Sequence, residues 1–271
     1  MLSNRNWHAL QNSRAYDWAM RLPAALYSFY ALGHDVIGFY QDAQSDPGVW
    51  AHADFGVIVA TLARISQWMF VALLGVLPLI RHRPIAKSQA WLPRLVALVT
   101  VLIPPLCILL PRATPNLACN LIAVMLGLTA SVLAVMTLSF LGRSFSVMPE
   151  ARRLVTSGPY GIVRHPLYLF ELLGVIGIVL QVRSLAAVVL VVLIAALQVA
   201  RARWEEGVLA RAIPEYAAYR ARVPFLLPHD PRGLLVLLRD DPAARRRCGL
   251  VMSSAFGLLV VVLVALPRLT G

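Results

Sequence analysis

Two polar stretches interrupt an otherwise apolar chain, and both carry residue types suited to holding charged groups. The first runs Leu154-Val-Thr-Ser-Gly-Pro-Tyr-Gly-Ile-Val-Arg-His-Pro-Leu-Tyr168. Gly158, Pro159 and Gly161 predict a compact turn. Arg164, His165 and Tyr168 then fall where a helix begins. Pro166 suits the first helical turn, where its missing N–H costs nothing, and the free N–H groups there can receive a carboxylate. The second stretch runs Arg201-Ala-Arg-Trp-Glu-Glu206, then Glu215-Tyr-Ala-Ala-Tyr-Arg-Ala-Arg-Val-Pro224. A helix continuing through Arg201 places it four residues from Glu205, on one face. Glu171 sits inside an apolar run, where an ionisable group is costly and marks a functional residue. Cys107, Cys119 and Cys248 have neither metal-ligand spacing nor a paired framework, and read as small buried hydrophobes. No metal is expected.

The elements that position these stretches are apolar. The 271 residues are 59% hydrophobic and 14% charged, against about 45–50% and about 25% in a soluble domain. A spanning helix takes roughly 17–25 mostly apolar residues. Seven stretches approach that pattern: Leu22–Tyr40, Phe55–Ile80, Leu95–Leu110, Leu117–Leu141, Leu167–Val182, Leu185–Ala200 and Leu250–Leu266. The expected fold is all-α, a polytopic transmembrane bundle of about seven spans. Met1 to Arg21 is polar and lacks a secretory pattern, so the first apolar segment is expected to be retained. His34 and Asp35 interrupt that segment, and Asp35 and Arg64 are read as an interhelical ion pair.

Basic residues fix the orientation. With the N-terminus in the cytoplasm, 21 of the 25 Lys and Arg residues fall in cytoplasmic segments, as the positive-inside rule requires. The loop 41–54 carries three aspartates and no basic residue, and is expected outside. The net charge of +12 therefore reports membrane orientation. No soluble basic domain is present to carry a nucleic-acid footprint. The fifth and sixth spans, joined by Arg183 and Ser184, form a hairpin that returns to the cytoplasmic face. His165 and Arg201 must then be neighbours there.

From about Phe140 to Pro228 the chain resembles the isoprenylcysteine carboxyl methyltransferases and the related phospholipid N-methyltransferases. The resemblance rests on the Leu154–Tyr168 motif, on Glu205–Glu206, and on the run Glu215–Pro228. It implies an integral membrane methyltransferase using S-adenosylmethionine, whose lipophilic acceptor enters from the bilayer. Leu154, Val155, Tyr160, His165, Pro166 and Tyr168 would line the cofactor pocket. Glu205 would hold the cofactor's charged end, and Arg201 would orient the acceptor, whether a prenylcysteine-like carboxylate or a lipid amine or thiol. Phe170 stands where that family often has glycine. The implied organisation is 1–139 for N-terminal transmembrane helices, 140–228 for the methyltransferase core, and 229–271 for a basic loop and final helix.

Two other readings compete. A sterol-type reductase would need a second basic site for a nicotinamide cofactor's 2′-phosphate, which is not evident. A transporter would need broken helices in matching halves. Pro104-Pro105 interrupts one span without a counterpart. Arg211, Arg220, Arg222 and Arg245–Arg247 read as membrane anchors.

Overall fold

A computed structural model describes residues 13–45, 54–88, 90–102, 117–230 and 232–270. The long apolar runs become helices because lipid offers no partners for backbone N–H and C=O groups. In chain order these are α1 (Arg14–Ser45), α2 (Phe55–Ile80), α3 (Trp91–Leu102), α4 (Leu117–Leu141), α5 (Pro166–Val182), α6 (Leu185–Ala212), α7 (Tyr216–Arg222), α8 (Gly233–Asp240) and α9 (Pro242–Thr270). Two-residue strands β1 (Ala86–Lys87) and β2 (Glu150–Ala151) pair antiparallel. The fold is an all-α membrane bundle, as the sequence predicts.

Its span lengths differ from the sequence reading. By length and composition, Phe55–Ile80, Ala118–Ser144 and Leu185–Ala212 are long and apolar enough to cross a bilayer. Trp91–Thr100 and Pro166–Val182 are apolar but shorter. The other expected spans fall on α1, where His34 and Asp35 dilute the apolar pattern, and on α9. Residues 103–116, which include the end of the third expected span, Pro104-Pro105 and Cys107, lie outside the described residues. Most of the loop 41–54 does too. The sixth span was expected to end at Ala200, yet α6 runs on to Ala212. Alanine, arginine, glutamate and leucine, all good helix formers, fill that extension.

Caps and small residues set the packing. Asp54 accepts from Val57 N at 2.8 Å to start α2. Ser184 accepts from Ala187 N at 3.1 Å to start α6. Between them in the hairpin, Arg183 adopts the left-handed conformation (φ 48°) that closes α5. In a bilayer, apolar side chains gain little by leaving lipid, so helices associate through close backbone approach. At Gly177 of α5 an added Cβ would lie 3.0 Å from the Ala123 carbonyl oxygen of α4. The core here gathers Leu133, Met136, Leu138, Phe145, Leu167 and Phe170.

Several charges within the bundle are paired. Asp35 accepts from Arg64 at 3.0 and 3.2 Å and from Trp68 Nε1 at 2.6 Å, the expected interhelical pair. A second network joins α1, α2 and β2. Asp17 pairs with Arg21 at 2.5 Å and Arg81 at 3.1 Å; Glu150 pairs with Arg81 at 3.4 Å and Arg152 at 2.5 Å. Burial pushes the Asp17 carboxyl up, but its bonds to Arg21 and Arg81 prevail and hold it below the usual carboxylate range.

Candidate functional site

The first polar stretch is a loop that cannot relax. Gly158 has φ +63°, and a Cβ there would meet the Phe140 ring at 2.6 Å. Only glycine satisfies both demands. It opens the 3-10 turn Gly158–Gly161, which delivers Tyr160 into the protein interior. Pro166 then starts α5 and is fully buried at its first position.

The second polar stretch clamps this loop. Arg164 N donates to the Pro224 carbonyl at 2.9 Å, and His165 N to the Phe225 carbonyl at 3.2 Å. The Arg164 side chain donates to the carbonyls of Arg220 (2.8 Å) and Val223 (2.9 Å), satisfying the open end of α7. It also pairs with Glu206 at 2.7 Å. The Tyr219 hydroxyl donates to the Tyr160 carbonyl at 2.7 Å, tying α7 to the turn. Burial raises the Tyr160 and Tyr219 phenols above their ordinary range, and the neighbouring Glu205 carboxylate adds to the rise at Tyr160. Both remain protonated, and the Tyr219 hydroxyl remains a donor.

Glu205 and Glu206 take different parts. Glu206 faces Arg164, His165 Nε2 at 3.2 Å and Arg220 at 3.9 Å. Burial first, then that carboxylate, raises the Tyr216 phenol. Glu205 accepts from the Tyr168 hydroxyl at 2.9 Å and has no cationic partner among the described residues. Tyr168 stacks on His165 with planes 5° apart, and the Arg201 guanidinium lies over the Tyr168 ring, 4.9 Å from its centroid. Arg201, 5% exposed, donates to the Val147 carbonyl at 2.7 Å.

These groups surround one cavity of about 80 Å³. That is smaller than the roughly 300–1,000 Å³ of small-molecule sites, so a cofactor-sized ligand requires part of the wall to give way. Of the residues singled out in the sequence, Leu154, Val155, Tyr160, His165, Tyr168, Arg201 and Glu205 line it. Pro166 does not; it is spent on starting α5. Phe170 packs into the core instead of narrowing the cavity. Arg201 and Glu205 share the cavity without an ion pair, because Tyr168 takes the carboxylate. Sequence reasoning missed two features. Glu206, read only as half of an acidic pair, is the clamp. The wall formed by Ser144, Ser146, Glu150 and Arg152 was also unmarked, although Glu150-Ala-Arg-Arg153 is a charged run just ahead of the motif.

The segment holding this geometry has a recognisable pattern. Residues 116–215 match the phospholipid methyltransferase family. The match begins just ahead of α4, earlier than the resemblance around Phe140, and covers 100 of the 271 residues. The chain is also similar to the cobalt-zinc-cadmium resistance protein CzcN of Cupriavidus metallidurans, 46% identical over 76 residues. To the nickel-cobalt-cadmium resistance protein NccN of Alcaligenes xylosoxydans xylosoxydans it is 33% identical over 106 residues. These stretches cover 28% and 37% of the chain, and only 35% and 49% of those relatives' own lengths.

Proposed function

We propose that this protein transfers a methyl group from S-adenosylmethionine to a lipophilic acceptor presented by the bilayer. The observation that carries this reading is Glu205, a half-buried carboxylate in the cavity with a phenol donor and no cationic partner among the described residues. A carboxylate withdrawn from water without a cationic partner is costly unless a ligand supplies one. S-adenosylmethionine supplies an ammonium group, and it carries the reactive methyl on a sulfonium sulfur. Leu154, Val155 and Tyr160 offer apolar and aromatic surface for the rest of such a molecule. His165, held by Glu206 and Tyr168, stiffens the wall. Arg201 stands one turn before Glu205, nearer the membrane, where an acceptor's polar head would meet it.

The cavity's part in the chemistry is alignment and exclusion of water. Fixing two reactants in line is worth roughly 7–11 kcal/mol. The distribution of basic residues supports a cytoplasmic position for the site. The membrane methyltransferase family of residues 116–215 favours this reading over a reductase or a transporter.

Calorimetry with S-adenosylhomocysteine and, separately, NADPH tests it. The purified protein should bind the first and not the second. Binding should raise thermal stability by about 2.7 kcal/mol at a hundredfold excess over Kd. Glu205→Ala should abolish the shift. Normal binding by that variant would reject the assignment.

A further inference from the structure

One polar pair lies just beyond the cavity wall and takes no part in the arrangement above. Glu171 is three residues past Tyr168 on α5, and Gln198 three residues before Arg201 on α6. Each is therefore about 4.5 Å deeper along its helix. The Gln198 amide donates to Glu171 Oε2 at 3.1 Å. Gln198 is 4% exposed, and its own oxygen Oε1 is buried with no hydrogen-bond partner among the described residues. No donor among those residues reaches the second oxygen of Glu171. The pair thus presents two acceptor oxygens, Gln198 Oε1 and the second oxygen of Glu171, that no donor among the described residues meets. Arg201 is the cation within electrostatic reach of Glu171.

A purely structural bridge between α5 and α6 would not need this composition. A glutamine at position 171 would join the helices as well, without a carboxylate at membrane depth. A bound carboxylate would add a third acceptor and a second negative charge. What completes the pair is a group bearing N–H or S–H.

Resting on the methyltransferase reading, we propose that Glu171, positioned by Gln198, takes the proton from an acceptor that arrives protonated at its nucleophilic nitrogen or sulfur. The nucleophile's proton passes to the Glu171 carboxylate. The lone pair left behind forms the new bond to the methyl carbon. The carbon–sulfur bond of the donor breaks, and its electron pair stays on sulfur as a neutral thioether. The proton then rests on Glu171, whose Oε2 keeps the bond from the Gln198 amide. A carboxylate acceptor has no proton to give and would not use the pair.

The test uses the full chain in lipid nanodiscs saturated with S-adenosylhomocysteine, probed with dodecylamine, dodecanethiol and dodecanoate. Wild type should be stabilised by the amine, the thiol or both, which distinguishes nitrogen from sulfur, and not by dodecanoate. Glu171→Gln keeps the helix bridge and should bind S-adenosylhomocysteine within about twofold. Its affinity for the responding probe should fall at least about tenfold, and methyl transfer to that probe on the order of 100-fold. Equal responses in wild type and variant overturn the proposal. So does a preference for dodecanoate, or indifference to amine and thiol alike. Failure of wild type to bind S-adenosylhomocysteine would instead remove the underlying methyltransferase reading.

Discussion

Glu205 and Glu206 are neighbours in sequence and part company in space. Successive residues on a helix point about 100° apart, so one carboxylate reaches the cavity while the other turns to Arg164 and His165. Their substitutions should therefore fail in different ways. Glu205→Ala should lose ligand binding in an intact protein. Glu206→Ala strands a buried arginine and should cost stability itself, about 3–5 kcal/mol when one partner of a buried pair is removed. Thermal unfolding without ligand separates the two: only Glu206→Ala should unfold early. Arg201→Lys keeps the charge but gives up the planar group over Tyr168. On the proposed reading, S-adenosylmethionine affinity should stay near normal while turnover falls on the order of 100-fold. Weakened cofactor binding with unchanged single-turnover rates would move Arg201 to the donor side. His165 and Tyr168 stood out in the sequence beside turn-forming and helix-starting signals, and Arg201 and Glu205 as charges four apart just after an apolar run. The division of labour between the two glutamates was not, since it depends on how α6 is rotated against α5.

At the scale of elements, the motif loop is held by long-range contacts that leave faint local traces. Gly158 is the exception, placed between serine and proline where a turn is expected. Gly158→Ala must both leave the left-handed region and displace the Phe140 ring. It should lose binding of S-adenosylhomocysteine along with thermal stability, and Phe140→Ala in the same chain should restore stability only in part, because the backbone strain remains. The ion network below the loop titrates. Asp17 is held below its ordinary range by Arg21 and Arg81. Its contribution is therefore present above the ordinary carboxylate value of about 3.9 and is lost as pH falls through the lowered one. The stability gap between wild type and Asp17→Asn should be open at neutral pH and close under acid, as thermal melts across that range would show. This network links α1 to the strand ahead of the motif, although α1 lies outside the family match. Nothing in local spacing announces it, because Asp17, Arg81 and Glu150 meet only once α1, α2 and β2 have packed.

For the whole molecule, apolar runs and charge distribution were enough to give the all-α membrane class and the helix order. They were less informative about how far each helix extends. The apolar span ends near Ala200, but the helix runs on to Ala212, as the shared face of Arg201 and Glu205 requires. Orientation is open to direct measurement. Single cysteines at Gln44 and His229 should label from opposite faces of sealed vesicles, with His229 on the cytoplasmic side. Labelling of both from one face would reject the topology.

The unbroken course of α6 from Ser184 to Ala212 makes it a rigid indexing rod. Gln198, Arg201, Glu205 and Glu206 keep their bearings only because a fixed number of residues separates each from the joint at Arg183. One alanine inserted between Ala196 and Leu197 would swing all four by about 100° and bring Glu205 round towards the place of Glu206. Seven inserted residues would restore the bearing to within about 20° but raise the set by about 10 Å. Sequence change in this helix is thus confined to substitution; length is the one property it cannot trade.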